Sequence, residues 1–183
     1  MIPSLDDIVR YVVGASLLLR NDERGMAAFD VTLRGFLQSF AAALLVLPLF
    51  AFVHYVQSRE IGVDATPMGV SLVAYAAQWL AFPVTAAGLA KLMQREQHFV
   101  PYVVAANWAS MIQIAVVAVA VLMGTLLSPG VAGLLLLLVT MGLLAYDFLI
   151  ARIAFHTPGL DGGAVVIVQL LVSMLVQHLV TGA

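Results

Sequence analysis

The sequence predicts an all-α membrane protein: a polytopic bundle of five transmembrane helices with an N-terminal amphipathic interfacial helix. Three observations carry this. Five apolar runs lie at 35–56, 68–90, 100–127, 131–151 and 163–181. Each is about the 20 residues that a helix needs to cross a bilayer core at a rise of about 1.5 Å per residue. The chain is 63% hydrophobic and only 10% charged, against about 25% charged in a soluble domain. Short polar breaks separate the runs, which leaves no room for an extramembrane domain of ordinary size. The organisation is therefore a cytoplasmic or interfacial segment over 1–34 and a five-helix domain over 35–183.

The N-terminal segment has its own pattern. Ser4 is placed to cap a helix, with Asp7 three residues on reaching back and favouring the positive helix end. Leu5, Ile8, Val9, Val12 and Leu19 recur at near-helical spacing, as in a helix lying on a membrane surface. The segment starts acidic, its apolar stretch Tyr11–Leu19 is short, and Arg20 and Arg24 follow. It therefore does not read as a cleaved signal. A second short helix is expected around Gly25–Leu33, running into the first span.

Charge sets the expected topology. Arg10, Arg20, Arg24 and Arg34 precede the first span, Lys91 and Arg95 lie between the second and third, and Arg152 ends the fourth. Only Arg59 falls on the other side, so the positive-inside rule places the N-terminus in the cytoplasm and the C-terminus outside. Net charge is −2 at pH 7, so no basic field exists for nucleic acid. Cysteine is absent, which excludes disulfides, thiolate catalysis, iron–sulfur clusters and Cys-type zinc sites. The expected surroundings are the lipid bilayer, with a membrane-protein partner or self-association.

Polar side chains inside a span are costly and therefore informative. The first span carries Gln38, Ser39 and His54 only near its ends and reads as the most lipid-facing. In the others, Gln78, Gln113, Thr140 and Ser173 fall near the middle of the bilayer, and Asn107, Asp147 and Gln169 form a layer nearer the cytoplasm. Gln169, Ser173 and Gln177 are spaced by four and share one face of the last span. Thr140 and Asp147 share a face of the fourth. Asn107, Ser110 and Gln113 are spaced by three on the third. These groups define a candidate polar seam among the second to fifth spans. Its alternative reading is interhelical hydrogen bonding, at about 0.6–2 kcal/mol per bond.

Asp147 is the only acidic side chain within a span, and Arg152 is its nearest basic neighbour in sequence. The histidines fall in two layers, His54 with His178 and His98 with His156, and none has a metal-ligand spacing. Pro48 and Pro83 interrupt the first two spans. Asp161-Gly162-Gly163 reads as the turn before the last span. No catalytic motif is present: no Gly-x-Ser-x-Gly, nucleotide loop or paired aspartates. The expectation is a non-enzymatic chain with no catalytic residue, metal site or cofactor. The odd number of spans also argues against a simple inverted duplication.

His98-Phe99-Val100-Pro101-Tyr102-Val103-Val104-Ala105 is similar to the opening of the third helix in the Yip1 family, whose members share a cytoplasmic N-terminal segment and five closely spaced membrane helices. The run from Gly25-Met26-Ala27-Ala28-Phe29-Asp30 through Pro48 resembles small bacterial inner-membrane proteins. The Asp-Leu-Tyr-Gly-Pro type motif of eukaryotic Yip1 members is absent, so their Rab-linked trafficking role is not carried over. The resemblance implies a bacterial inner-membrane protein acting as a scaffold, adaptor or membrane-organising subunit. The alternative is a small transporter or channel using the polar seam.

Overall fold

The computed structural model describes residues 3–61 and 66–182. All regular structure among them is helical, and five helices are long and apolar enough to cross a membrane. Helix α1 spans Leu5–Leu19 and begins with the capping box that the sequence suggests. Ser4 Oγ accepts from the Asp7 amide at 3.1 Å, and the Asp7 carboxylate accepts from the Ser4 amide at 3.2 Å.

The second short helix is a 3-10 turn, Glu23–Ala28, that ends before the expected Leu33. Its start is held by Asp22, whose carboxylate accepts from the Arg24 amide. Gly25 has no alternative there: a Cβ would lie 2.5 Å from the Gly14 carbonyl oxygen of α1. Asp30 then accepts from Thr32, and Thr32 caps α2, Leu33–Ser39.

The first membrane-length segment, Leu33–Arg59, is α2 followed directly by α3, Ala41–Ile61. The break falls at Ser39 and Phe40. There the Ser39 hydroxyl donates back to the Phe36 carbonyl at 2.7 Å, a bond that bends helices. The remaining helices are α4, Met68–Leu92; α5, Phe99–Gly124; α6, Pro129–Phe155; and α7, Gly159–Thr181. Pro129 opens α6, where its missing N–H costs nothing.

One boundary differs from the sequence reading. Asp161-Gly162-Gly163 is not the turn before the last span but the first turn of α7. The connection is shorter: His156 takes a left-handed conformation (φ 52°) to end α6, and Pro158 precedes α7. Asp161 then sits at the positive end of α7. Gly162 leaves room for the Phe148 ring, 3.3 Å from where a Cβ would stand.

Helix α5 is the hub, the most buried of the long helices. Trp108 is fully buried and lies 4.8 Å from the Tyr11 ring of α1. On α6, the Tyr146 hydroxyl donates to the Ala15 carbonyl of α1 at 2.7 Å. The expectation that the first span faces lipid most fully is overturned. Gln38 and Ser39 are buried, and Ser39 is bonded to α5, whereas α7 is the least buried long helix.

Helix α1 docks through Tyr11, Gly14, Ala15 and Leu18. A second apolar stripe on it stays uncovered: Leu5, Val9 and Val13 are 80%, 62% and 52% exposed. The outer faces of α6 and α7 are a sheath of exposed Leu, Met and Ile side chains. Exposure on that scale is foreign to a monomer in water and is the normal outside of a bundle in lipid.

Candidate functional site

A cavity of about 360 Å³ lies among α4, α5, α6 and α7. The periodicity of each helix explains what faces it. Gln78 and Phe82 are one turn apart on α4. Tyr102, Ala106, Ser110 and Gln113 recur every three or four residues on α5. Asp147 comes from α6, and Gln169 and Ser173 from one face of α7.

Six residues of the candidate seam line this one cavity: Gln78, Asn107, Gln113, Asp147, Gln169 and Ser173. Two others do not. Thr140 is exposed on the outside of α6, and its hydroxyl donates to the Leu136 carbonyl of its own helix. Gln177 lines a second cavity of about 190 Å³ with Phe50, His54, Ser71 and Tyr75. Gln78 lines both cavities, so its side chain stands between them.

The hydrogen bonds divide the polar groups by role. Gln113 Nε2 donates to Asp147 Oδ1 at 2.6 Å, tying α5 to α6. Gln78 Nε2 donates to the Ser173 carbonyl at 2.7 Å, tying α4 to α7. Asn107 Nδ2 turns away to Ser39 Oγ at 2.8 Å, a buried bond that fixes α5 against α2. Ser110 donates to the Asn107 carbonyl at 2.6 Å. Gln169 Nε2 is buried and makes no well-aligned hydrogen bond, with the Tyr102 hydroxyl close enough to interact with it.

Asp147 carries the only formal charge on the cavity wall. Arg152 is not its partner, because that guanidinium donates to Asn21 beyond α1. A carboxylate in an apolar setting is expensive unless a cation, a proton or several donors meet it, and Gln113 is the single donor present. Aromatic residues line the same cavity: Trp79, Phe82 and Tyr102, with the Phe82 and Tyr102 rings 5.6 Å apart. The sequence reading did not place these rings on the seam. Helical register supplied the signal, since Phe82 follows Gln78 by four and Tyr102 precedes Ser110 by eight.

The histidines stand apart from the larger cavity. The His98 and His156 rings meet at 4.8 Å at the end of the bundle where α6 stops. Beside them Arg95 donates to the Phe155 and His156 carbonyls at 2.8 Å each, capping α6. No cluster of three or more metal-ligating side chains occurs among the described residues.

No family model, curated protein or solved structure matches the chain.

Proposed function

We propose that this chain is a small membrane carrier that binds a solute in the cavity among α4, α5, α6 and α7. One observation supports this above the rest. Seven polar side chains from four spans, Ser110 among them, line one space of ligand size, and Asp147 is the one carboxylate on its wall. Interhelical bonding alone does not need a cavity. Gln78 closes the route toward the second cavity, which makes its bond to Ser173 the natural gate. On this reading the chain sits in a bacterial inner membrane, and the distribution of basic side chains favours a cytoplasmic N-terminus, with the second cavity toward the outside.

The test is uptake by proteoliposomes of three small probes: tetramethylammonium, glycerol and lactate. Saturable, protein-dependent uptake of one of them, lost in Asp147→Asn, supports the carrier. No uptake of any probe above empty vesicles overturns it.

A Yip1-like scaffold or adaptor is the second reading, and the uncovered stripe Leu5, Val9 and Val13 on α1 favours it. Docking of that stripe on lipid or on a membrane partner makes α1 the interfacial element. Replacing all three with serine leaves the buried face of α1 intact. On the scaffold reading it removes a co-purifying partner; unchanged co-purification contradicts that reading.

A further inference from the structure

We infer that the solute held beside Asp147 is a small organic ammonium ion. This rests on the carrier reading and specifies its substrate class. The charge balance of the wall comes first. Asp147 is its only ionisable carboxylate, and no lysine, arginine or histidine lines the same space. An anionic solute would meet a carboxylate and no compensating cation. A cation would meet the one group whose burial calls for it.

The shape of the wall narrows the class further. Trp79, Phe82 and Tyr102 present aromatic surface in the same cavity. Aromatic faces attract alkylammonium groups, and they do so more strongly where water is excluded. A bare divalent metal ion binds best to several carboxylates, whereas this wall offers one carboxylate among neutral amide and hydroxyl groups. An organic ammonium is satisfied by one carboxylate, ring faces and apolar contact. The volume of about 360 Å³ lies at the small end of ligand pockets, so the solute is small.

The experiment is calorimetric titration of the purified full chain in detergent at pH 7 with three probes of matched size: benzylammonium, benzyl alcohol and benzoate. Benzylammonium is expected to bind at least tenfold more tightly than benzyl alcohol, and benzoate most weakly. Asp147→Asn is expected to bring benzylammonium down to the level of the alcohol. The wild-type comparison needs no variant, so a poorly folded Asp147→Asn leaves the test intact. Equal or tighter binding of benzoate or the alcohol overturns the inference, as does a benzylammonium preference that survives in folded Asp147→Asn. A chain that takes up glycerol or lactate yet shows no preference for benzylammonium also sinks it, and leaves the carrier reading standing.

Discussion

Gln113 on α5 donates to Asp147 on α6 at 2.6 Å, and it is the one hydrogen bond that the Asp147 carboxylate receives. The two residues are 34 positions apart in sequence. Their helices form an antiparallel pair joined by the short connection ahead of Pro129. The bond therefore both locks the pair and aims the carboxylate.

Removing one partner is expected to hurt more than removing both. Gln113→Leu leaves a buried carboxyl without its donor, at a cost of about 1–3 kcal/mol. For a chain of this size each kcal/mol moves Tm by about 2–4 °C. The double variant Gln113→Leu with Asp147→Leu leaves no orphan group and is expected to recover most of that loss. Thermal unfolding in detergent reads both. A double variant less stable than the single would show that the bond is not what couples these helices.

Gln78 is expected to control passage. Its amide bridges to Ser173 and stands between the two cavities. Gln78→Ala removes the bridge and joins the spaces, so uptake should quicken and discrimination among probes should fall. Proteoliposome uptake rates measure this. A slower and equally selective variant would place the gate elsewhere.

Much of the site was legible because a helix has a fixed period. Spacing by three or four put Gln169 with Ser173, and Ser110 with Gln113, before any coordinates. Thr140 shows where that reasoning stops. Seven residues is close to two turns, yet Thr140 is exposed and the cavity's lining on α6 begins only at Leu144 and includes Asp147. Gln177 similarly continues the stripe on α7 but opens onto the second cavity. The docking face of α1 was hidden for another reason. Tyr11, Gly14 and Ala15 are small or amphipathic, so the apolar pattern pointed to Leu5 and Val9, which the structure leaves exposed. A helix with two apolar faces does not announce which one meets protein.

Close backbone approach at Gly25 yields a stability prediction. A Cβ there would stand 2.5 Å from the Gly14 carbonyl, so Gly25→Ala must push the 3-10 turn off α1. Overpacking of this kind costs about 1–3 kcal/mol. Gly163→Ala is the control: nothing lies within 4 Å of its Cβ, and alanine favours a helix by about 0.5–1 kcal/mol. Tm of the full chain should fall in the first and hold or rise in the second.

The capping box gives a pH prediction. The Ser4 hydroxyl, then the Ser4 amide, hold the Asp7 carboxyl below its ordinary value of 3.8. A folded-state value below the unfolded one means that the contribution is complete above the ordinary carboxylate range. It is lost as pH falls through the lowered value. Capping of α1 should thus be constant from neutral pH down to about 5 and weaken only in stronger acid. Ser4→Ala should return the Asp7 titration, followed by NMR of the carboxyl carbon, toward its ordinary position. An unshifted titration would show that the box does not hold in the membrane-bound chain.

The absence of cysteine permits the most direct test of the central claim, that the cavity among α4, α5, α6 and α7 is open to a solute. Ser110→Cys places one thiol on the cavity wall, and Leu138→Cys places one on the exposed outer face of α6. Modification by a cationic methanethiosulfonate needs a hydrated thiolate, which a lipid-facing site does not provide. The account predicts rapid modification of Ser110→Cys in sealed membranes and an inert Leu138→Cys. A Ser110→Cys as unreactive as Leu138→Cys would contradict it.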